Sequence, residues 1–458
     1  MLNALDARLA QALPPGTLYA VGGRVRDEVR SDVERIETAT KDLDYIVTGV
    51  PFDELRARLE KLGRVDLVGA SFSVFKLTLD GTTVDVALPR RERSTGSAHR
   101  AFEVEGNPEI PLADDLARRD FRMNAMARAL PGGDLVDPYG GEADIRARRI
   151  DILVDRAFEE DPLRMVRAAQ FAARFEYTLT PRTLEAMREA APLAGTLSGE
   201  RIAEEFTKLL TRAVRPSIGL ELLRETGVLA VLAPELVEGV GVAQNQWHAY
   251  DVWNHALATV DAAPRHDLVL RLAALLHDVG KPRTKEGTHF YRHEQVGAEM
   301  TRELLRRLRF SNEVVEATTH LVRSHMYAAD PELSDPALRR SIRRIGVEYL
   351  ERQFALRHAD IAGSGLPKRD DANERFEARV REEVARKPAF CVADLAIGGE
   401  DVVGAMIRHG AAEPGFRGDP RVGEILRWLF EQVTEQPERN ERQRLSKLLD
   451  EYFRGPTA

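Results

Sequence analysis

The sequence predicts an α+β head domain followed by an all-α remainder, and three observations carry that prediction. β-rich runs and turn signals are confined to roughly the first 150 residues. From Glu160 onward helical runs follow one another with short polar links. Nine of the eleven histidines fall between His248 and His358, which marks a separate chemical unit inside the helical part. The expected division is a head over residues 1–150, a helical neck over 151–245, a histidine-rich domain over 246–365 and a helical tail over 366–458.

Taken in order, the opening MLNALDARLAQALPPG reads as a short amphipathic helix. Asp6 and Arg8 interrupt its apolar pattern, and it has no small-residue cleavage site. Thr17 to Val21 is a strand ended by Gly22-Gly23; Arg24 to Ile36 is a helix; Asp42 to Val47 is a second strand. Val74 to Leu79 and Thr83 to Leu88 alternate around Asp80-Gly81, a hairpin signal. Residues 90 to 113 are polar and Arg-rich and read as a loop. Asp161 to Phe175 and Gly199 to Leu210 are helical, and 366 to 388 reads as an exposed charged helix or linker.

Composition bounds the function without choosing it. Hydrophobic content of 43% and charged content of 31% are ordinary for a soluble globular chain. No apolar run approaches the roughly 20 residues of a membrane span. The single cysteine, Cys391, leaves no internal disulfide and fits a reducing cytoplasm. A net charge of −8 gives no support for nucleic-acid binding, yet an RNA enzyme needs only a local basic track. With 57 Arg against 9 Lys, an arginine cluster alone says little about phosphate.

The first chemical signal is KDLDYIV. Side chains two apart on a strand share a face, so Asp42 and Asp44 project together. Neighbouring carboxylates repel unless a cation or proton lies between them. Magnesium bridging them would also hold triphosphate oxygens. Asp85, an acid in an otherwise apolar strand, is placed to join as a third ligand, and two metals held this way activate the attacking hydroxyl and stabilise the leaving pyrophosphate. A D-x-D alone is more often a solvated strand edge. Upstream, however, Gly22-Gly23 follows a strand and opens a helix, where backbone can approach an anion and free N–H groups face it; Arg26 could add a bidentate grip.

With GGRVRD followed by DLD, the chain resembles the head of the polymerase-β-type nucleotidyltransferases. RRDFRMNA, EEDPLRMVRAAQF and SGERIAEEF then resemble the class II tRNA nucleotidyltransferases and the related bacterial poly(A) polymerases, in the family's order across residues 18 to 210. The resemblance implies template-independent addition of C and A, from CTP and ATP, to the 3′ end of tRNA, with magnesium in the head. It leaves open whether CCA, only CC or only A is added; residues 90 to 113 are where family members differ.

Asp161 and Arg164, read as three apart on one helix, offer a pure acceptor beside a pure donor. Cytosine and adenine present an amino donor next to a ring-nitrogen acceptor; uracil and guanine present the reverse. The pair therefore matches C and A and leaves polar groups unpaired against U and G, at about 1–3 kcal/mol per lost bond. The resemblance implies this same role, with Arg167 close by. It also implies that Arg119, Asp120 and Asn124 place ribose and triphosphate, and that Ser198, Glu200 and Arg201 support the pocket. For these last three a purely structural cap and salt bridge is an equal reading. The tail, by the same resemblance, contacts the acceptor and TΨC arms of tRNA.

LVLRLAALLHDVGKP is an apolar helix with His277 and Asp278 at its end. With His255 upstream and His293, His325 and Asp360 downstream, its nitrogen and carboxylate donors suit a divalent transition metal. The set resembles the HD-superfamily metal phosphohydrolases. His255, His277, Asp278 and Asp360 match the core ligands there, and His293 and His325 match positions that support a second metal. Phosphatase or cyclic phosphodiesterase activity on RNA ends is the implied chemistry.

Rival readings are weaker. A poly(A) polymerase usually carries a basic R-R-F segment where this chain has VGASFSVFKL. A protein uridylyltransferase leaves EDPLR unexplained, and an HD phosphohydrolase with a merely RNA-binding head leaves Asp42, Asp44 and Asp85 without purpose. The expected partners are tRNA, ATP and CTP, with no membrane.

Overall fold

The computed structural model describes residues 4–38, 43–68, 74–94, 102–367 and 370–454; of residues 92–94 and 102–105 only the backbone is described. Asp42 lies outside the described residues. The chain divides into two compact units, residues 1–237 with 307–310, and residues 238–306 with 311–458.

The first unit is built on a seven-stranded mixed sheet. Its strands are β1 (Leu18–Val21), β2 (Asp44–Val47), β3 (Arg64–Val68), β4 (Val74–Leu79), β5 (Thr82–Ala87), β8 (Ala127–Ala129) and β9 (Leu135–Val136), in the order β3-β4-β5-β2-β1-β8-β9. β4 and β5 form the hairpin that the Asp-Gly pair predicts, with Asp80 and Gly81 both at positive φ. Phe75, Leu77, Val84 and Val86 point inward at 3% exposure or less, so the period-2 alternation places a core under this sheet. β2 lies between β1 (antiparallel) and β5 (parallel), the register pairing Asp44 with Val21 on one side and with Asp85 on the other. The glycine turn and two of the acidic residues thus meet along three adjacent strands.

Two local expectations are corrected. Within 90–113, read as a loop, the described backbone contains β6 (Arg90–Ser94) paired antiparallel with β7 (Phe102–Gly106) and the start of a helix at Leu112. A two-stranded ribbon of charged residues has no apolar alternation to announce it. The helix expected from Asp161 starts instead at Leu163, and Asp161 is extended (φ −141°, ψ 99°). Pro162 is the cause, because its ring disfavours the α conformation in the residue before it.

The helices that carry the sites are α1 (Gly23–Glu34), α2 (Leu163–Phe175) and α3 (Gly199–Arg212) in the first unit. In the second they are α4 (Val252–Ala262), α5 (Leu268–Leu276), α6 (His293–Arg307), α7 (Asn312–Ser324) and α8 (Leu350–Gly363). α5 is apolar except for Arg271, which donates to the Ala263 carbonyl, and it is buried throughout from Val269 to Leu276, as a central helix must be. Asp267 starts it by accepting from the Leu270 amide, and Asp251 and Ser311 do the same for α4 and α7. Gly280, just past α5, approaches α6 so closely that a Cβ there would lie 2.3 Å from the His293 carbonyl oxygen and 2.6 Å from the Gly297 nitrogen. That close approach draws His277 and Asp278 against His293.

Candidate functional site

In the first unit, a cleft of about 610 Å³ opens beside the end of β1. Gly22 turns the chain there at φ 73°, ψ −140°, a conformation that favours glycine. A Cβ on it would lie 2.9 Å from Arg119 Nη1 and 3.6 Å from Asp44 Oδ2. Backbone, guanidinium and carboxylate therefore converge on one point. Asp85, adjacent to Asp44 in the parallel register, has its carboxylate 3.3 Å from Lys76 Nζ, which supplies a countercharge.

Arg26, Arg119, Asp120, Asn124, Asp161, Arg164 and Arg167 all line this cleft together with Gly22, Gly23 and Asp44. Their roles within it differ from the simplest expectation. Arg26 is buried, donates to Asp27 and to Asn124 Oδ1 (2.9 Å), and packs over the Phe171 and Phe175 rings. Asp120 accepts from the Phe121 amide, from Asn124 Nδ2 (2.8 Å) and from Arg167 Nε and Nη2 (2.9 and 2.7 Å). Burial pushes its carboxyl up, but Arg167 and these hydrogen bonds outweigh that and hold it below the ordinary value. Arg26, Asn124, Asp120 and Arg167 are thus one hydrogen-bonded chain that ties α1 to α2. Burial lowers the Arg119 guanidinium, against the pull of Asp115.

Asp161 and Arg164 share the cleft, and the Arg164 amide donates to the Asp161 carbonyl (3.0 Å), but their side chains bond to other partners. Asp161 Oδ1 accepts from the Leu163 amide (3.2 Å), and both its oxygens accept from Arg201 Nη2 (3.1 and 3.0 Å). Arg164 donates to the Arg118 carbonyl (2.8 Å), the Ala157 carbonyl and Glu160. Ser198 makes no side-chain cap bond, and Glu200 faces Arg309 at 3.9 Å.

Arg174, which the sequence reading missed, continues the stripe of Arg164, Arg167 and Gln170 along α2 at helical spacing. Burial, then Arg26, Arg212 and Arg30, push it down to about 10. A stripe three or four apart on the motif helix was the available signal.

In the second unit, His255 (α4), His277 and Asp278 (end of α5), His293 (α6), His325 (end of α7) and Asp360 (α8) converge as the sequence predicts. His255 Nε2 lies 3.1 Å from His277 Nε2 and from Asp360 Oδ1, and 3.4 Å from Asp278 Oδ2. His277 Nε2 lies 3.1 Å from the same Asp278 oxygen. The other Asp278 oxygen faces His293 Nε2 (3.5 Å) and His325 Nε2 (3.7 Å), themselves 3.2 Å apart. Asp278 therefore bridges two donor groups. Each histidine turns Nδ1 to a backbone carbonyl: Gly363, Ala274, Phe290 and Val322, at 2.7–3.1 Å. A carbonyl only accepts, so Nδ1 carries a proton and Nε2 is the atom turned to the centre, the orientation a metal-ligating histidine adopts.

Burial raises Asp278, but His277, Lys281 and His255 together hold it well below the carboxylate range; Asp360 is likewise lowered, against burial, by its bond to His255 and by His277. Burial takes His325 down to about 3. Burial also lowers His277, yet Asp278 and Asp360 leave it raised overall.

Two members were not predicted. His248 groups with His255 and Asp360, and burial lowers it to about 4. Lys281 Nζ lies 2.6 Å from Asp278 Oδ2, and its position three residues after Asp278 was the signal that could have found it.

Three family profiles match: the poly A polymerase head domain over residues 18–151, the "probable RNA and SrmB-binding site of polymerase A" over 176–239, and the HD domain over 247–362. Among curated proteins, the multifunctional CCA protein of Azoarcus sp. (strain BH72) is 38% identical over 316 residues, 67% of this chain and 73% of that protein. The multifunctional CCA protein of Verminephrobacter eiseniae is 33% identical over 436 residues, 91% of this chain and 100% of that one. Among solved structures, the Bacillus stearothermophilus CCA-adding enzyme in complex with CTP superposes with a TM-score of 0.71 at 25% identity, covering 98% of this chain and 96% of the other.

Proposed function

Since this chain belongs to the multifunctional CCA protein family and is a tRNA nucleotidyltransferase, we propose that it adds nucleotides from CTP and ATP to the tRNA 3′ end with Asp44 and Asp85 as its described metal carboxylates. Asp42, two positions before Asp44, is proposed as the third. The observation that carries this assignment is the parallel register of Asp44 with Asp85 next to the glycine turn. Their all-oxygen donor set suits magnesium, which when bound supplies Lewis acidity for the attacking hydroxyl and charge neutralisation for the leaving pyrophosphate.

The chain's own residues do the rest. Gly22 and Gly23 let the triphosphate approach backbone at the start of α1, where N–H groups and Arg119 favour negative charge. The Arg26–Asn124–Asp120–Arg167 chain holds α1 and α2 at fixed spacing, so triphosphate and base are measured against one rigid frame. Arg26 acts in that frame as a positioning residue. Asp161 and Arg164 read the base edge. In the structure Arg201 and the Arg118 carbonyl hold the very groups the base needs, so the incoming nucleotide exchanges for them and the pocket stays hydrogen-bonded when empty.

In the second unit, the four Nε2 atoms, Asp278 and Asp360 form a nitrogen–oxygen donor set that suits a divalent transition metal. His255, His277, Asp278 and Asp360 would hold one ion, and Asp278, His293 and His325 a second, for phosphohydrolase chemistry. Lys281 there binds substrate phosphate. The head, neck, HD and tail boundaries given above are proposed as the working division. Among the described residues no helix is long and apolar enough to cross a membrane. The substrates and the exposed thiol of Cys391 support a cytoplasmic setting.

Asp44→Asn and Asp85→Asn test the assignment. Incorporation of labelled CMP and AMP into tRNA lacking its 3′ end is expected to fall at least a thousand-fold in each, with melting temperature retained. Near-normal incorporation by either variant removes that residue from the site.

A further inference from the structure

We infer that Asp6, Arg24 and Tyr45 are positioning residues for nucleotide transfer, a triad that sets the glycine turn against the Asp44 carboxylate. The N-terminal helix Ala4–Ala12 then belongs to the transfer machinery, although none of its residues lines the cleft. The inference rests on the reading of Asp44 and Asp85 as the metal carboxylates. All three side chains are buried, at 0%, 5% and 1% exposure. The Arg24 guanidinium donates to both Asp6 oxygens (Nη1 to Oδ1 2.8 Å, Nη2 to Oδ2 2.6 Å) and from Nη1 to the Tyr45 hydroxyl (3.2 Å). Tyr45 in turn donates to Asp6 Oδ1 (2.7 Å), which closes the triad. The remaining edge of the guanidinium, Nε, donates to Glu28 (2.9 Å), whose other oxygen accepts from Arg128 of β8 (3.2 Å).

Two of the three are chain neighbours of the site itself. Arg24 follows Gly23 in the first turn of α1, whose N–H groups find no partner within the helix and face the triphosphate. Tyr45 follows Asp44 on β2. Pairing of Val21 with Asp44 fixes β1 against β2, but it does not fix the direction in which the chain leaves β1 at Gly22. No side chain caps α1 there. Successive residues of a strand face opposite sides, so Tyr45 turns away from Asp44 and meets Arg24. The fork of Arg24 on Tyr45 and Asp6 therefore sets the spacing between the glycine turn and the carboxylate.

Burial of an ion pair here argues for geometry more than for stability. Desolvating two charges is costly, and apolar side chains of similar volume often hold such elements together as well or better. What they lack is a planar fork whose donors fix distance and angle to several partners at once. Transfer is sensitive to such placement, because a displacement of about 1 Å can cost about 100-fold in rate. The base is read elsewhere, at Asp161 and Arg164, and the tie from α1 to α2 runs through the separate Arg26 chain. The triad should therefore govern turnover and leave nucleotide affinity alone.

Tyr45→Phe removes one hydroxyl and keeps the ring; Arg24→Lys keeps the charge beside Asp6 but cannot fork to Tyr45 and Glu28. Full-length variants are assayed for CMP incorporation into tRNA lacking its 3′ end, as kcat, as KM for CTP and as the magnesium concentration that gives half the maximal rate. Each variant should lose about ten-fold in kcat and need several-fold more magnesium, with KM for CTP within about two-fold of wild type. In the double variant the losses should not multiply, giving about ten-fold in place of about a hundred-fold, because either change releases the same fork. Leu77→Ala is the control for lost stability: it empties the core on β4, a strand that does not neighbour β2, and should lower the melting temperature with kcat within about two-fold of wild type. Unchanged kcat in Tyr45→Phe or Arg24→Lys, multiplied losses in the double variant, or an equal loss in Leu77→Ala overturns the inference. Asp44→Asn assayed alongside separates the two readings. If it retains incorporation, the carboxylate assignment falls and the triad with it. If it is inactive while Tyr45→Phe and Arg24→Lys keep the wild-type kcat, the assignment stands and only the triad is discarded.

Discussion

Replacing Asp161 by Asn isolates base reading from folding more cleanly than truncation does. Asp161 Oδ1 satisfies the Leu163 amide at the start of α2, and an asparagine oxygen can do the same. The ion pair to Arg201 is lost, but both partners are partly exposed (32% and 50%), so its removal costs at most about 1 kcal/mol. The fold should therefore survive. Catalysis should not be indifferent, because the carboxylate is the only group proposed to accept from the exocyclic amine of C or A. Hydrogen bonds to charged groups contribute about 1.5–3 kcal/mol. At about 1.4 kcal/mol per factor of ten, that is roughly 10- to 150-fold in kcat/KM for CTP. The amide can also turn its NH2 toward the O4 carbonyl of uracil. The ratio of CTP to UTP incorporation should thus fall by about 10- to 100-fold, measured as single-nucleotide steady-state kinetics on tRNA lacking its 3′ end, with melting temperature as control. An unchanged C-to-U ratio in a folded Asp161→Asn protein refutes the reasoning.

Two further outcomes are expected. His277→Ala combined with Asp278→Ala should abolish metal-dependent phosphate release from AMP while nucleotide addition stays within about three-fold of wild type; unchanged phosphate release makes the cluster structural. Asp120 has its carboxyl held below the ordinary value, so its stabilisation is complete above the unfolded pKa of about 4 and is lost as pH falls through the lower folded value. Asp120→Asn should therefore cost about 2 kcal/mol near neutral pH, with the difference from wild type narrowing below about pH 4 in denaturation curves; a gap independent of pH counts against an ionised, Arg167-paired Asp120.

The parts legible in the sequence were those fixed by local periodicity or by motif. The hairpin at Asp80-Gly81 was readable because Phe75, Leu77, Val84 and Val86 alternate with polar residues. The histidine cluster was readable because HD ends an apolar helix. What escaped depended on pairing between distant segments. Asp85 was read as a third carboxylate beside Asp44, but nothing local announces that β5 runs parallel beside β2 to bring it there, or that the charged run at Arg90 finds a partner in the strand that starts at Phe102. Arg201 meets Asp161 only because α3 packs against α2, forty residues away. Asp161 was misread for a local reason. Its charge pattern with Arg164 suggested one helical face, and Pro162 overrode it, yet both side chains still reach the same cleft.

The most direct measurement is to incubate the purified chain with tRNA ending before CCA, after the first C, or after CC, together with all four nucleoside triphosphates, and to sequence the 3′ ends. The account predicts extension by C or A alone on at least one of these ends, halting at the completed terminus. Unextended tRNA, incorporation of U or G, or a long run of A contradicts it.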